Sequence, residues 1–168
     1  MLSGNIASNP ARMYRVLFTC VHNSGRSRMA EALFNHYAAG TALAASAGTR
    51  PAQHVDRTVV EAMKELGLDV RGHRPKMLTP HMVEDADKVV TIGCSADGIF
   101  LPLVSSLHWH IGSPEGKAIS EVREIRDEIA ARARRLVAEI QNERRLQPAT
   151  AGGIANDSSH SHKGGEPI

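Results

Sequence analysis

Three things are scarce in these 168 residues: cysteine, long apolar runs and an excess of charge of either sign. Each shortage removes a class of answers. The two cysteines, Cys20 and Cys94, stand far apart, which argues against a disulfide framework and for reactive thiols in a reducing compartment. No stretch approaches the ~18 apolar residues of a membrane span. Met1 to Arg12 lacks the apolar segment of a secretory leader, so no membrane association is expected and the expected location is cytoplasmic. Basic residues number 20 and acidic ones 18, a net charge of +2, and the two signs are interleaved. No nucleic-acid partner is expected, despite a sequence pI of 8.7. Internal repeats are absent.

What is present suits one domain with a real core, since 42% of the residues are hydrophobic. The apolar run Tyr14 to Thr19 predicts a buried strand, and Met29, Leu33 and Tyr37 recur every four residues as one helix face. Ala42 to Ala47 predicts a second strand. Val55, Val59, Met63 and Leu66 form a helical stripe stopped by Gly67. Asp87 to Ile92 and Leu107 to Ile111 predict the third and fourth strands. Ile119, Val122, Ile125, Ile129, Ala133, Leu136 and Ile140 predict a long amphipathic helix with a solvated, charge-laced back. Strands alternating with helices give an α/β class with a parallel sheet. The domain is expected over residues 13–146, between an N-terminal extension, 1–12, and a Gly, Ser and His-rich tail, 147–168, both read as disordered. His160 and His162 in that tail lack the supporting ligands of a metal site.

The octet Cys20-Val21-His22-Asn23-Ser24-Gly25-Arg26-Ser27 lies between the first strand and the first helix. Such a loop gathers backbone N–H groups at a helix N-terminus, where unpaired donors and the positive end of the dipole favour an anion. Asn23 and Gly25 tolerate left-handed backbone geometry, and Arg26 can grip two oxygens with its planar fork. The same groups favour a Cys20 thiolate, the reactive form of the side chain, and Ser27 is placed to hydrogen-bond the sulfur. The expected oxyanion-binding set is Val21, His22, Asn23, Ser24, Gly25, Arg26 and Ser27. His22 is expected to point outward.

On these residues the chain resembles the low-molecular-weight protein tyrosine phosphatase superfamily, and in particular its arsenate reductase branch. Met29-Ala30-Glu31-Ala32, Ser46-Ala47-Gly48-Thr49, Gly72 to Lys76 and Val89 to Cys94 extend the similarity. The resemblance implies a three-layer α/β fold: a four-stranded parallel sheet flanked by helices, with the oxyanion loop after the first strand. It also implies reduction of arsenate to arsenite. Cys20 attacks the arsenate, Arg26 and the loop amides bind its oxygens, and Cys94 resolves the adduct through a disulfide. Arsenate or phosphate is then the ligand. No tightly bound cofactor is implied, and the electrons come from an external thiol: thioredoxin, glutaredoxin or a low-molecular-weight thiol.

Three departures bear on that expectation. Ser113-Pro114 stands where the family typically has Asp-Pro, so the usual proton donor is absent, although Glu115 or Asp97 lies on the same rim. Ile99 to Pro102 replaces the stretch that commonly carries a third cysteine. Some members bind potassium through residues matching Asn23, Glu31 and Ser46, but Lys76 stands where a further acidic ligand is expected. Its ammonium would substitute for the ion, so no metal requirement is expected. Two other functions fit the same loop: a phosphatase working through a phosphocysteine, and a non-catalytic oxyanion-binding or redox-sensing module.

Overall fold

A computed structural model describes residues 12–93 and 105–147. Its elements follow in the order β1 (Tyr14–Cys20), α1 (Arg26–Ala38), β2 (Ala42–Gly48), α2 (Arg57–Lys64), α3 (Pro80–Glu84), β3 (Lys88–Ile92), β4 (Ser105–Trp109) and α4 (Ile119–Leu146). The four strands form one sheet in the order β2-β1-β3-β4, all pairs parallel. Strand β1 is central, and its continuous buried run from Val16 to Thr19 is what a parallel strand covered on both faces requires.

Alternation along β1 sorts its side chains between two cores. Val16 and Phe18 join Val90, Ile92 and Trp109 against α1, α2 and α4, where Met29, Leu33, Phe34, Met63, Ile129 and Leu136 are buried. Leu17 faces the other way, packing with Ala47 and Val89 under Leu78 and the α3 residues Met82 and Val83. The Phe18 ring meets Phe34 at 5.8 Å and Trp109 at 5.4 Å between centroids, so Trp109 is a core residue. Because β1 ends at Cys20 and α1 begins at Arg26, the octet is the connection at the carboxyl edge of the central strand, where open α/β sheets bind ligands.

Several expected boundaries move. Leu66 is 45% exposed: α2 ends at Lys64, and Gly67, at a φ of 74°, turns the chain before another helical turn forms. Val55 precedes α2, because Asp56 is its N-cap and accepts from Thr58 N–H and Val59 N–H. The fourth strand ends at Trp109, leaving His110 and Ile111 outside it. Helix α3, which the hydrophobic pattern did not reveal, starts from the Thr79 cap with Pro80 in its first turn. The back of α4 is not wholly solvated either. Arg126 is buried, bonding Ala62 O and Glu65 at 2.8 Å each. Arg12, read as part of the loose extension, bonds Asp87 at 2.6 Å. Residues 1–11 and 148–168, with His160 and His162, lie outside the described residues, as do Cys94, Asp97 and Ile99 to Pro102. Among the described residues no helix is long and apolar enough to cross a membrane.

Candidate active site

The octet is shaped from outside by the segment that follows β2. Its carbonyls accept from that segment one after another: Cys20 O from Thr49 N–H at 3.2 Å, Val21 O from Arg50 N–H at 2.8 Å, His22 O from Ala52 N–H and Ser24 O from Asp56 N–H at 2.9 Å each. In a planar trans peptide the N–H points opposite to the carbonyl. The amides of Val21, His22, Asn23 and Gly25 therefore turn away from that segment, toward the concavity. Asn23 N–H shows the result, reaching Cys20 Sγ at 3.3 Å. Gly48, paired in register with Cys20, makes this approach possible, since a Cβ there would lie 2.5 Å from Val21 O.

Asn23 takes the left-handed conformation expected of it, at a φ of 50°, but Gly25 does not, at −140°. Glycine is needed at 25 for space: a Cβ would lie 2.7 Å from Pro114 Cγ. As the N-cap of α1, Gly25 also supplies no side-chain cap, and the first turn of α1 holds no acidic residue. The leading amides of α1 are thus left without a side-chain acceptor, the arrangement that favours an anion at a helix N-terminus.

A hydrogen-bonded chain runs behind the sulfur. Ser27 Oγ lies 2.9 Å from Cys20 Sγ. Asn23, fully buried, donates through Nδ2 to Ser27 Oγ at 2.8 Å and to Ser46 Oγ at 2.9 Å, and its Oδ1 accepts from Lys76 N–H at 3.1 Å. Ser46 O–H donates in turn to Glu31. The residues matching potassium ligands are therefore all here, but as a donor set they do not fit a cation. The Asn23 side-chain oxygen already accepts from Lys76 N–H, and the buried guanidinium of Arg28, 3.5 Å from the Glu31 carboxylate, repels a further cation there. Lys76, expected to supply a substitute charge, contributes its backbone; among the described residues its ammonium forms no ion pair.

Arg26 folds over the end of β3, donating through Nη1 to Ile111 O at 2.9 Å. Its guanidinium occupies the space that a side chain at Gly93 would take. The cleft it helps to close is lined by Cys20, His22, Ser24, Gly25, Arg26, Asp56, Ser113, Pro114 and Glu115. His22 is on the outer rim as expected, its Nδ1 3.8 Å from Glu115 across the mouth. Glu115 is 73% exposed. Ser113 serves its own loop, accepting from Glu115 N–H at 3.3 Å.

The structure thus brings Cys20, the loop amides, Arg26 and Ser27 together. Cys94 lies outside the described residues, although Gly93 places the preceding position directly under Arg26. Sequence reading had missed Arg28, Asp56 and the steric roles of Gly48 and Gly93. An Asp-Arg-Thr start to a helical stripe was a visible cap signal, and a glycine at the carboxyl end of each of two strands flanking β1 hinted at close approach.

The sequence model of the family described as low molecular weight phosphotyrosine protein phosphatase matches residues 15–146. The chain belongs to that family. An arsenate reductase of Bacillus cereus is 35% identical over 123 residues, covering 71% of this chain and 91% of that protein. Among solved structures, a thioredoxin-dependent arsenate reductase of Corynebacterium glutamicum superposes with a TM-score of 0.69 at 36% identity, over 79% of this chain and 64% of that one. An arginine phosphatase from Geobacillus stearothermophilus gives a TM-score of 0.70 at 25% identity, over 77% of this chain and 94% of that one. The four-stranded parallel sheet with flanking helices is the fold these relatives share.

Proposed function

We propose that this protein reduces arsenate to arsenite, with Cys20 as nucleophile and thiols as the source of both electrons. The observation that carries the reading is the cradle itself: a sulfur 2.9 Å from a serine hydroxyl and 3.3 Å from a loop amide, at an uncapped helix N-terminus beside a guanidinium. Arsenate enters with its oxygens on the loop amides from Val21 to Arg26 and on the Arg26 fork. For this, Arg26 exchanges Ile111 O for the ligand.

The Cys20 thiolate then attacks arsenic, a sulfur–arsenic bond forms, and one arsenate oxygen departs as water after protonation. Cys94 attacks Cys20 Sγ next. The sulfur–arsenic bond breaks with its electron pair left on arsenic, arsenite is released, and a Cys20–Cys94 disulfide remains. An external dithiol, thioredoxin or glutaredoxin, or a low-molecular-weight thiol, reduces that disulfide. The resemblance to thioredoxin-dependent and other arsenate reductases supports a thiol reductant, and this chemistry needs no tightly bound redox cofactor. A reducing cytoplasm is the compartment that suits it.

Phosphoester hydrolysis is the second reading, favoured by the two carboxylates, Glu115 and Asp56, that line the cleft. Asp56 is engaged in capping α2 and Glu115 points to His22, so only activated esters, whose leaving group needs little protonation, are expected to turn over. The deciding assay follows arsenate-dependent NADPH consumption with thioredoxin and glutaredoxin regenerating systems, alongside nitrophenyl phosphate hydrolysis. Cys20→Ser should lose both activities, and Cys94→Ser only the reduction. Nitrophenyl phosphate turnover without arsenate reduction in the native protein would replace the reductase reading by the phosphatase one. Phosphate binding with neither activity would leave an oxyanion-binding module.

A further inference from the structure

A second cavity lies beside the cleft, between α2 and the segment 71–75. Its volume, about 560 Å³, falls within the ~300–1,000 Å³ of small-molecule sites, whereas the cleft over Cys20 leaves about 20 Å³ free. The turn into α2 divides the two: Asp56 lines the cleft, while its neighbours Val55 and Arg57 line the cavity. Val55, Val60 and Pro75 give the cavity an apolar part.

Its charges converge from two elements. Arg57 and Glu61 come from α2, and Arg74 from the facing segment. Among the described residues these three side chains have neither an ion pair nor a hydrogen bond. Arg71, which also lines the cavity, is by contrast already chelated by Asp69, at 3.0 and 3.1 Å. Two open guanidiniums and one open carboxylate around an apolar patch complement a small molecule with two carboxylates, one ammonium and an uncharged middle. A simple oxyanion such as phosphate would instead meet the Glu61 carboxylate as a repelling neighbour. The proposed reaction calls for a molecule of the first kind. Each turnover oxidises two thiols, and glutathione, a tripeptide thiol, carries two carboxylates and one ammonium.

We infer that this cavity seats an acidic low-molecular-weight thiol of the glutathione class and delivers it past Asp56 to the oxidised Cys20. The inference rests on the reading of Cys20 as nucleophile and names its reductant. The bound thiolate attacks Cys20 Sγ, the Cys20–Cys94 bond breaks, and Cys94 leaves with the electron pair. A second molecule attacks the sulfur of the first, freeing Cys20 and releasing the small-molecule disulfide. Two thiols are oxidised, one protein disulfide is reduced, and two protons pass from the small thiols to Cys20 and Cys94.

The first test is calorimetry of the native full-length protein with S-methylglutathione, which cannot reduce a disulfide. One site with a dissociation constant below millimolar is expected, and the dimethyl ester, with both carboxylates blocked, should not bind. Arg57→Met and Arg74→Met, both at exposed positions, should each weaken binding about fivefold, the scale of one ion pair in contact with solvent. Delivery is read on Cys94→Ser protein whose Cys20 is held in a mixed disulfide with thionitrobenzoate, where attack by a thiol releases a coloured thiolate. Replacing both arginines should lower the rate with glutathione, relative to that with uncharged mercaptoethanol, by more than about tenfold. No binding of S-methylglutathione at millimolar concentration, or equal binding by the double variant, would overturn the inference. Equal slowing of glutathione and mercaptoethanol would overturn it too, since the arginines would then act on Cys20 rather than on the thiol. Calorimetry involves neither arsenate nor electron transfer. A site that binds in a protein that does not reduce arsenate would sink the reductase reading alone; arsenate reduction with thioredoxin and an empty site would sink this inference alone.

Discussion

Helices α1 and α2 pack into the same core, yet they begin in opposite ways. Asp56 caps α2 by accepting from two of its leading amides, and α3 is likewise capped by Thr79. At the far end of α2, Glu65 is tied to α4 by Arg123 and Arg126. Helix α1 starts from Gly25, with no side chain on its first amides. Glycine at an N-cap gives up only a few tenths of a kcal/mol relative to aspartate, so α1 leaves its leading amides uncapped at little cost in stability. The difference separates a helix whose N-terminus is closed by its own side chain from one whose leading amides are left open beside Cys20.

Giving α1 the cap it lacks should break that contrast most severely. Gly25→Asp places a carboxylate on the amides meant for the ligand and crowds Pro114, so phosphate affinity measured by calorimetry should fall at least about 100-fold. The converse removal, Asp56→Ala, should cost α2 about 1 kcal/mol in urea unfolding while phosphate affinity stays within a few-fold of native. A large loss of affinity there would mean that Asp56 belongs to the binding site rather than to the helix alone. The smallest effect concerns the other end of α2. Hydrogen bonds from Arg123, then from Arg126, hold Glu65 at about 2, below the usual glutamate value of 4.5. A depressed carboxylate stabilises the fold above its unfolded value and ceases to do so as pH falls through its folded one. The melting-temperature gap between native protein and Glu65→Gln should therefore be constant above about pH 4.5 and close between there and about pH 2.

The contrast also shows what sequence alone carried. The sheet was legible because β1, β2 and β3 are largely apolar runs, and the octet because its residues sit between such a run and a helical stripe. Cys20, Arg26 and Ser27 were identifiable from chemistry, and the structure brings Ser27 to the sulfur. Leu66 misled because periodicity ignores where a glycine turns the chain, and Arg126 because a charge on a helix back looks solvated until the neighbouring helix end is in place. Arg28 was invisible for the same reason: nothing in its immediate neighbours says that the Val70 to His73 carbonyls will close over it. Gly25 was rightly singled out for the wrong cause, since close approach to Pro114, a contact distant in sequence, demands it. Local propensity and chemistry were readable; charges and glycines whose partners come from remote segments were not.

On the reading proposed, Cys20 lies reactive in a cradle built for a tetrahedral oxyanion. Protection of the native protein from alkylation tests it most directly: Cys20 should react with iodoacetamide at neutral pH faster than a cysteine in an unstructured peptide, and phosphate or arsenate should block the reaction in proportion to occupancy. A Cys20 that reacts no faster than the peptide, or one that neither anion protects, would mean that the loop is no such cradle.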